Sequence, residues 1–328
     1  MPLDVSIVVL NFNTRDLLAG CIDSVMANTG GLDMELIVVD NASGDGSADM
    51  VEREYPLVRL IRNPGNTGFS GGINLGIGAA AAPYILVLNQ DTLIKPGAIE
   101  HMLEYLRCDP KAGIVGPRLV SGGGRYQQSC NYFTTPGLKN ALLLLANMAF
   151  PHGTSIMGLC ADPAHNRDGP VEVDWIHGAC MLVRREVFDQ AGLFDERFYV
   201  FMEDMEFCYR AFLAGWKTVY LPGTEIVHFT NRSGIQTIGK LYSYGRIAFY
   251  VTGIDYFLRK HFSPAHAYMT IALMAVGSLV LSLLLRLAFL AGIGGEEIKQ
   301  KIVYSQRMGK ASLAGLLAGY RARDGGGH

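Results

Sequence analysis

The chain has 328 residues, and 49% of them are hydrophobic, enough to bury the core of one large domain or two smaller ones. The formal net charge of −2 gives no basic excess for binding phosphate backbones, so we do not expect nucleic acid as a partner. The six cysteines are far apart, without the paired spacing of a zinc knuckle or a disulfide framework. This cysteine usage favours a reducing, cytosolic compartment.

Strand-like and helix-like runs alternate in the first half of the chain, which is the order of a β-α-β sheet. None of the strand-like runs alternates in polarity, so we expect parallel strands that helices cover on both faces. A glycine-rich loop from Pro64 to Gly72 is predicted to precede a short helix through Gly76. The predicted strands are Val5 to Leu10, Glu35 to Val39, Val58 to Ile61 and Tyr84 to Leu88, and helical spacing covers 17–26 and 48–53.

Acidic residues follow two of these strands at their carboxyl ends. Asp40 comes after the second strand and Asp91 after the fourth. Ligands of open α/β sheets bind at this edge, where a carboxylate can accept from a base or hold a divalent cation that bridges phosphates. The alternative is that both aspartates only cap the helices that follow them.

Motifs in both halves of the chain resemble glycosyltransferase family 2, which has an α/β GT-A fold with a Rossmann-like nucleotide-binding sheet. The resemblance runs from about Val5 to Ser233, with the motifs in the family's order and spacing. It implies an inverting glycosyltransferase that uses a nucleotide diphosphate sugar as its donor. The motifs are Val38–Ser43, Asn66–Ser70 with Asn74, Leu88–Thr92, Trp175, Gly178–Arg185, Phe194–Glu196, Glu203–Asp204 and Val227–His228.

The resemblance assigns donor binding to residues after the first four strands. Asp40 would accept from the imide of a uracil or thymine ring, and the backbone at Leu10 and Asn11 would lie along the nucleoside. The glycine-rich stretch would let the backbone approach the donor; the alternative is that its glycines only relieve close packing. The donor-binding residues implied there are Asn66, Gly68 and Asn74.

The resemblance also implies a divalent metal, Mg²⁺ or Mn²⁺, on the donor diphosphate. Asp91 would bind it, and His228 would be a second ligand unless a neighbouring backbone group satisfies this histidine. The commonest family pattern has two acids around a variable residue, but Asn89 stands at the first position. An amide oxygen brings no charge, so weaker metal binding is expected.

The Asn-x-Asp form of this motif resembles rhamnosyltransferases, although Gln90 stands where those enzymes often have proline. The resemblance therefore suggests a deoxysugar donor such as dTDP-rhamnose. A non-catalytic nucleotide-sugar-binding protein with a degenerate metal site is the main alternative, because of Asn89. A nucleotidyltransferase is disfavoured, because no glycine-rich, basic phosphate loop follows the first strand.

One carboxylate suffices as the base for direct displacement with inversion, and the resemblance assigns this role to Asp204. The alternative is that Glu203 and Asp204 only stabilise a helix N-terminus electrostatically. On the acceptor side, Trp175 would stack on a sugar or lie in the core. Gly178 and Ala179 would leave room for the acceptor beside Glu203.

The end of the chain carries a long apolar run without charged side chains, from Ala267 to Leu285, which Arg286 interrupts. This length is close to what a bilayer crossing needs, so we expect a membrane segment at about 267–290; a buried core helix and a re-entrant helix are the alternatives. The predicted domains are a catalytic domain, 1–233, with a donor half at 1–118 and an acceptor half at 119–233, and a helical region, 234–328. The expected acceptor is lipid-linked or a polysaccharide, at the cytoplasmic side of the cell membrane, and a homo-oligomer is possible.

Overall fold

The computed structural model of the protein describes residues 3–133, 168–229, 244–292 and 294–318. These residues fall into two compact units, the first made of 3–133 with 168–229 and the second of 244–292 with 294–318. The predicted domain boundary at Ser233 lies outside the described residues.

The first unit contains the strands and the shorter helices. Its strands are β1 (Val5–Asn11), β2 (Met34–Asp40), β3 (Arg59–Arg62), β4 (Tyr84–Asn89), β5 (Thr92–Leu93), β6 (Ala112–Val120), β7 (Tyr126–Gln127), β8 (Cys130–Asn131), β9 (Val171–Val173), β10 (Trp175–Ile176), β11 (Cys180–Arg184) and β12 (Lys217–His228). Its helices are α1 (Arg15–Asn28), α2 (Ser47–Glu54), α3 (Gly68–Ala79), α4 (Ala98–Cys108), α5 (Arg185–Ala191) and α6 (Glu203–Leu213).

The four predicted strands and the order of elements are confirmed, and two details of the prediction are wrong. β1 is buried along its whole length, as expected for a strand covered on both faces. β3 is an edge strand, and its terminal residues are exposed. The predicted glycine-rich loop is partly helical, because α3 already begins at Gly68 and continues to Ala79.

The main sheet has the strand order β3-β2-β1-β4-β11-β6-β12-β5. The first four strands are parallel, and β11 is antiparallel to β4. The chain leaves β1 for β2 on one side and returns to β4 on the other, which is a topological switch point. The register pairs Asn11 with Asp40 and Leu10 with Asn89. The carboxyl ends of β1, β2 and β4 therefore meet at one edge of the sheet.

The two predicted halves of the catalytic domain share this sheet. β6 runs across the predicted division between residues 118 and 119, and it pairs with both β11 and β12. The acceptor half therefore extends the donor half's sheet and brings its own loops to the same edge.

The second unit is helical, with α7 (Tyr244–His261), α8 (Pro264–Leu290) and α9 (Glu296–Ala318). Within the described residues, α8 is the one helix that length and composition allow to cross a membrane; its mean hydropathy reaches 2.3. Its apolar side chains Leu279, Leu283 and Leu284 are more than half exposed. Its buried positions include Ser278, which packs closely on Gly309 of α9. Small or polar residues between helices and leucines outside are typical of helices packed in lipid.

Candidate active site

The loops after β1 and β2 form the first wall of the site. Asn11 and Asp40 are buried, and Asn11 Nδ2 donates to Asp40 Oδ1 at 2.9 Å. The backbone N–H of Ser43 donates to Asp40 Oδ2 at 3.0 Å. Each carboxylate oxygen still has acceptor capacity for a second donor. The structure thus places Asp40, Asn11 and Leu10 side by side at the sheet edge, and their donor-binding roles remain predictions.

Backbone strain is concentrated at this edge. The described non-glycine residues with positive φ are Asn13 and Ala42, after β1 and β2, and Phe201 and Met202, before α6. Left-handed conformations cost about 1–3 kcal/mol each in non-glycine residues and persist only where neighbouring contacts hold them. Such strain is commonest at functional sites, and here it lies in the loops after β1 and β2 and at the start of α6.

Asp91 and His228 meet because β12 pairs with β5. His228 lies opposite Thr92 in the register, and the backbone N–H of Phe229 donates to the Asp91 carbonyl at 2.8 Å. His228 Nε2 then lies 3.4 Å from Asp91 Oδ1. Asp91 is 2% exposed, and its Oδ1 has no hydrogen-bond partner. Two predicted metal ligands are therefore neighbours, and one of them has an unsatisfied buried oxygen.

Gln127 orients the His228 ring. Its Nε2 donates to the carbonyl of His228 at 2.9 Å, which turns its Oε1 toward His228 Nδ1 at 3.0 Å. An acceptor at this position requires the proton on Nδ1, so the neutral ring presents the lone pair of Nε2 to Asp91. Sequence reasoning missed Gln127, because β7 comes beside β12 only through the tertiary fold.

This pair fits a divalent cation. A lone pair and a carboxylate oxygen face each other at 3.4 Å, and only a shared cation, either a metal ion or a proton, makes such a contact favourable. Among the residues that the structure describes, no third acid, histidine or cysteine joins them. Asp91 and His228 would therefore hold the metal from one side and leave its other positions to the diphosphate and water.

Asp204 lies in the first turn of α6 and is held by two backbone N–H groups. Gly178 N–H donates to Asp204 Oδ2 at 3.1 Å, and Met205 N–H donates to Asp204 Oδ1 at 2.8 Å. His177 Nδ1 lies 3.7 Å from Oδ2. Because the carboxylate is buried and held from two sides, its orientation is set before any substrate binds.

Glu203 differs sharply from its neighbour. It is buried, and its Oε2 has no hydrogen-bond partner. Burial, and then the charge of Asp204, raise the pKa of Glu203 well above its ordinary value of 4.5. Both causes favour the neutral form of this carboxyl group. The predicted acceptor contact of Glu203 remains a prediction.

Gly178 and Ala179 connect Asp204 to the turn that carries Asp91. The backbone N–H of Asn89, two residues before Asp91 in the chain, donates to the carbonyl of Ala179 at 3.0 Å. Gly178, the preceding residue, donates to Asp204. The segment at the start of β11 thus has Asp204 on one side and the Asn89–Asp91 turn on the other.

Trp175 lies beside this segment on β10. Its Nε1 donates to the carbonyl of Tyr132 at 3.0 Å, and its ring lies 4.9 Å from that of His177, centroid to centroid. Trp175 is partly exposed, so it is not a fully buried core tryptophan. Its stacking on an acceptor sugar remains a prediction.

The remaining predicted donor residues, Asn66, Gly68 and Asn74, lie in and before α3. Asn66 Oδ1 accepts from Asn41 Nδ2 at 2.9 Å and from Gly68 N–H at 2.9 Å. The Asn74 amide bonds the backbone of Phe194 in both directions. These polar groups are hydrogen-bonded within the protein, and their predicted donor contacts have no independent support.

The model of the family described as Glycosyl transferase family 2 matches residues 6–192, more than half of the chain. The chain belongs to this family. The match ends before Asp204 and His228, which lie in the same sheet unit beyond it. The residues that the sequence predicts to bind the donor in this family 2 glycosyltransferase thus lie inside the matched segment.

Curated relatives include glycosyltransferases of glycan assembly. The N-acetylglucosaminyl-diphospho-decaprenol L-rhamnosyltransferase of Mycobacterium tuberculosis is 29% identical over 206 residues, which are 60% of this chain and 66% of that protein. The low-salt glycan biosynthesis hexosyltransferase Agl10 of Haloferax volcanii is 28% identical over 217 residues, 63% of this chain and 61% of that protein. The family 2 glycosyltransferase thus spans somewhat less than two thirds of each relative's length.

Solved structures establish the fold of this family 2 glycosyltransferase. The mannosyltransferase PcManGT from Pyrobaculum calidifontis, solved with GDP-Man and Mn²⁺, has a TM-score of 0.58 at 15% identity and covers 97% of this chain and 88% of its own. GalNAc-T7, solved with UDP, GalNAc and Mn²⁺, has a TM-score of 0.55 at 17% identity, over 78% of this chain and 50% of its own. The predicted GT-A fold is confirmed.

Proposed function

We propose that this chain transfers a deoxyhexose, L-rhamnose from dTDP-rhamnose, to a lipid-linked acceptor with inversion at the anomeric carbon. The observation that carries the proposal is the backbone link through Gly178 and Ala179, which brings Asp204 to the edge that holds Asp91 and His228. A base and a cation site at one sheet edge are what a direct displacement of nucleoside diphosphate requires.

In the proposed reaction, Asp204 takes the proton of the acceptor hydroxyl as its oxygen attacks the anomeric carbon. The new C–O bond forms on the face opposite the donor diphosphate, and the bond from the anomeric carbon to the diphosphate oxygen breaks. The nucleoside diphosphate leaves with that electron pair. Asp91 and His228 would hold a divalent cation, and that cation would neutralise negative charge on the leaving diphosphate. Asp40 accepts from the thymine imide.

The choice of sugar and acceptor rests on the relatives. The Mycobacterium tuberculosis protein is named as a rhamnosyltransferase that acts on an N-acetylglucosaminyl-diphospho-decaprenol, and the Asn-x-Asp form at Asn89 points the same way. Both fold neighbours were solved with Mn²⁺ and a nucleotide or nucleotide sugar. Together these support a metal-dependent transferase of glycan assembly.

The proposal is tested by measuring nucleoside diphosphate release from a panel of nucleotide sugars, with a polyprenyl-diphosphate N-acetylglucosamine acceptor and with Mn²⁺, Mg²⁺ or EDTA. We expect release from dTDP-rhamnose that needs metal, with a product of inverted anomeric configuration. Another preferred donor would replace the sugar assignment, and retained configuration would refute the single-base mechanism. Tight donor binding without any turnover would instead favour a non-catalytic nucleotide-sugar binder.

We also propose that α8 associates with the membrane and that the catalytic unit works on its cytoplasmic side. The apolar outer face of α8 and the lipid-linked substrate named for the relative support the membrane association. The double variant Leu279→Lys with Leu283→Lys should lose flotation with lipid vesicles, whereas Leu57→Lys, a change at an exposed leucine of the first unit, should not. Equal flotation of both variants would contradict the assignment.

A further inference from the structure

The segment Phe194–Met202, here called the strap, leads directly into the helix that begins with Glu203 and Asp204. The strap ends in two consecutive left-handed residues, Phe201 and Met202, with φ of 70° and 72°. A conformation of this kind persists only where the surrounding contacts hold it. The direction in which α6 starts, and hence the position of Asp204, depends on whatever holds the strap.

Helix α3 holds the strap at three points. Asn74 Nδ2 donates to the Phe194 carbonyl at 2.9 Å, and Phe194 N–H donates back to Asn74 Oδ1 at 3.1 Å. Ser70 Oγ donates to the Phe198 carbonyl at 2.8 Å. The N–H of Phe69 donates to the Tyr199 carbonyl at 2.8 Å. The strap therefore lies along α3 from its first residue nearly to the strained turn.

Burial and close packing show that these contacts leave little freedom. Ser70 is fully buried, and Asn74 is 7% exposed. Gly68 has φ +77°, and a Cβ there would lie 2.4 Å from the Tyr199 carbonyl oxygen. A glycine is thus required at the start of α3 for the strap to approach this closely.

The same end of α3 reaches the far side of Asp204. Gly178, whose N–H donates to Asp204, packs on Phe69: a Cβ at Gly178 would lie 3.5 Å from Phe69 Cζ and 3.6 Å from Asp204 Cβ. Residues 69–74 of α3 therefore contact both the strap that precedes Asp204 and the segment at Gly178 that donates to it.

From this geometry we infer that Ser70 and Asn74 are positioning residues for Asp204 and act through the strap, not donor ligands. The inference rests on the proposed role of Asp204 as the base. It assigns a role in the chemical step to residues in the donor half of the chain. Since a displacement of about 1 Å can cost roughly 100-fold in rate, loosening the strap should lower kcat and leave donor binding intact.

The test compares Ser70→Ala and Asn74→Ala with Ser6→Ala. Ser6 is a matched control, because it is also fully buried and its Oγ bonds a loop backbone, at Ala81 and Ala82, but it lies near the start of β1. Donor affinity by calorimetry, kcat by product release, and amide hydrogen exchange of residues 203–207 are measured for each variant.

We expect Ser70→Ala and Asn74→Ala to lower kcat about tenfold or more, to leave the donor Kd within about twofold, and to speed exchange at 203–207. Ser6→Ala should lower Tm comparably and change none of the three. A rise in donor Kd that accounts for the lost kcat/KM would overturn the inference, and so would an equal fall of kcat in Ser6→Ala.

Two results separate this inference from the proposed function. If the wild-type protein turns over no donor, the proposed function fails and the exchange data still test the strap. Faster exchange at 203–207 in Ser70→Ala, but not in Ser6→Ala, supports the inference that the strap positions the start of α6. Unchanged exchange in Ser70→Ala overturns that inference. If Asn74→Ala does not fold, the smaller Ser70→Ala change decides.

Discussion

Asp91 and Asp204 are buried aspartates at one edge of the sheet, and they are held in opposite ways. Asp91 has an oxygen without a partner that faces the Nε2 of His228. Each oxygen of Asp204 accepts a backbone N–H. An unsatisfied oxygen beside a lone pair needs a cation, whereas a carboxylate held by two amides keeps a fixed direction. Burial alone therefore does not determine the role of a carboxylate. The hydrogen-bond partners of its two oxygens determine that role.

Among the variants that test this comparison, we expect the largest loss of activity from a change at Asp204. Asp204→Asn removes the base and keeps the shape, so kcat should fall about 10²- to 10⁴-fold in a product-release assay. Asp16→Asn is the matched control, because Asp16 is also an acid in the first turn of a helix, α1, yet is exposed. If both variants lose activity equally, or neither does, Asp204 only stabilises its helix terminus.

Asp91→Asn should have the next largest effect. It should weaken donor binding in the presence of metal and stabilise the fold in its absence. Without the carboxylate, we expect Mn²⁺-dependent donor affinity to fall at least about 100-fold. Without metal, loss of a buried unsatisfied charge should raise Tm by a few degrees, or about 1 kcal/mol. Calorimetry and thermal melting check the two effects, and a lower Tm in metal-free buffer would contradict our description of the site.

The Gln127→Ala variant tests the orientation of the imidazole. Loss of the acceptor at Nδ1 frees the ring, so Mn²⁺ affinity should fall about tenfold. Gln128→Ala is the control, because Gln128 is adjacent in the chain and exposed. Titration of Mn²⁺ in the presence of donor measures both variants. An unchanged affinity in Gln127→Ala would show that His228 does not depend on this hydrogen bond.

The smallest effect is a pH dependence at Glu203. Its raised pKa means that the folded protein binds this proton more tightly than the unfolded chain, so stability is lost as pH rises above 4.5 toward the folded-state pKa. Glu203→Gln removes that loss, and its Tm advantage over wild type should grow with pH across this window. Glu104→Gln, at an exposed position, should show no such trend. A Tm difference for Glu203→Gln that does not change with pH would contradict the raised pKa of Glu203.

The sequence predicts the strands and the ends at which the acids lie, because unbroken Val, Ile and Leu runs show where a doubly covered strand must be. That Asp91 and His228 lie together is predicted only from the resemblance of their motifs to the family. Without that resemblance, the β5–β12 register, which pairs Thr92 with His228 across 136 positions of the chain, is not predictable. Such long-range pairing is decided by tertiary packing, not by local pattern.

The roles of Gln127 and Ser70 are beyond sequence reasoning for the same physical reason. Ser70 acts on Phe198, 128 residues away, and Gln127 on His228, 101 residues away. A serine or glutamine has no periodic signature, so only the geometry identifies these contacts. Asn74 is the opposite case. Its motif predicts a donor-binding role, whereas in the structure its amide forms hydrogen bonds with the strap at Phe194.

The most direct test of the central claim is the titration of dTDP-rhamnose, with Mn²⁺ present, into Asp204→Asn and Asp91→Asn side by side. Our account predicts that Asp204→Asn binds the donor with wild-type affinity, whereas Asp91→Asn binds it about 100-fold more weakly. Equal loss in the two variants, or loss in Asp204→Asn alone, would contradict the division between a cation site and a base.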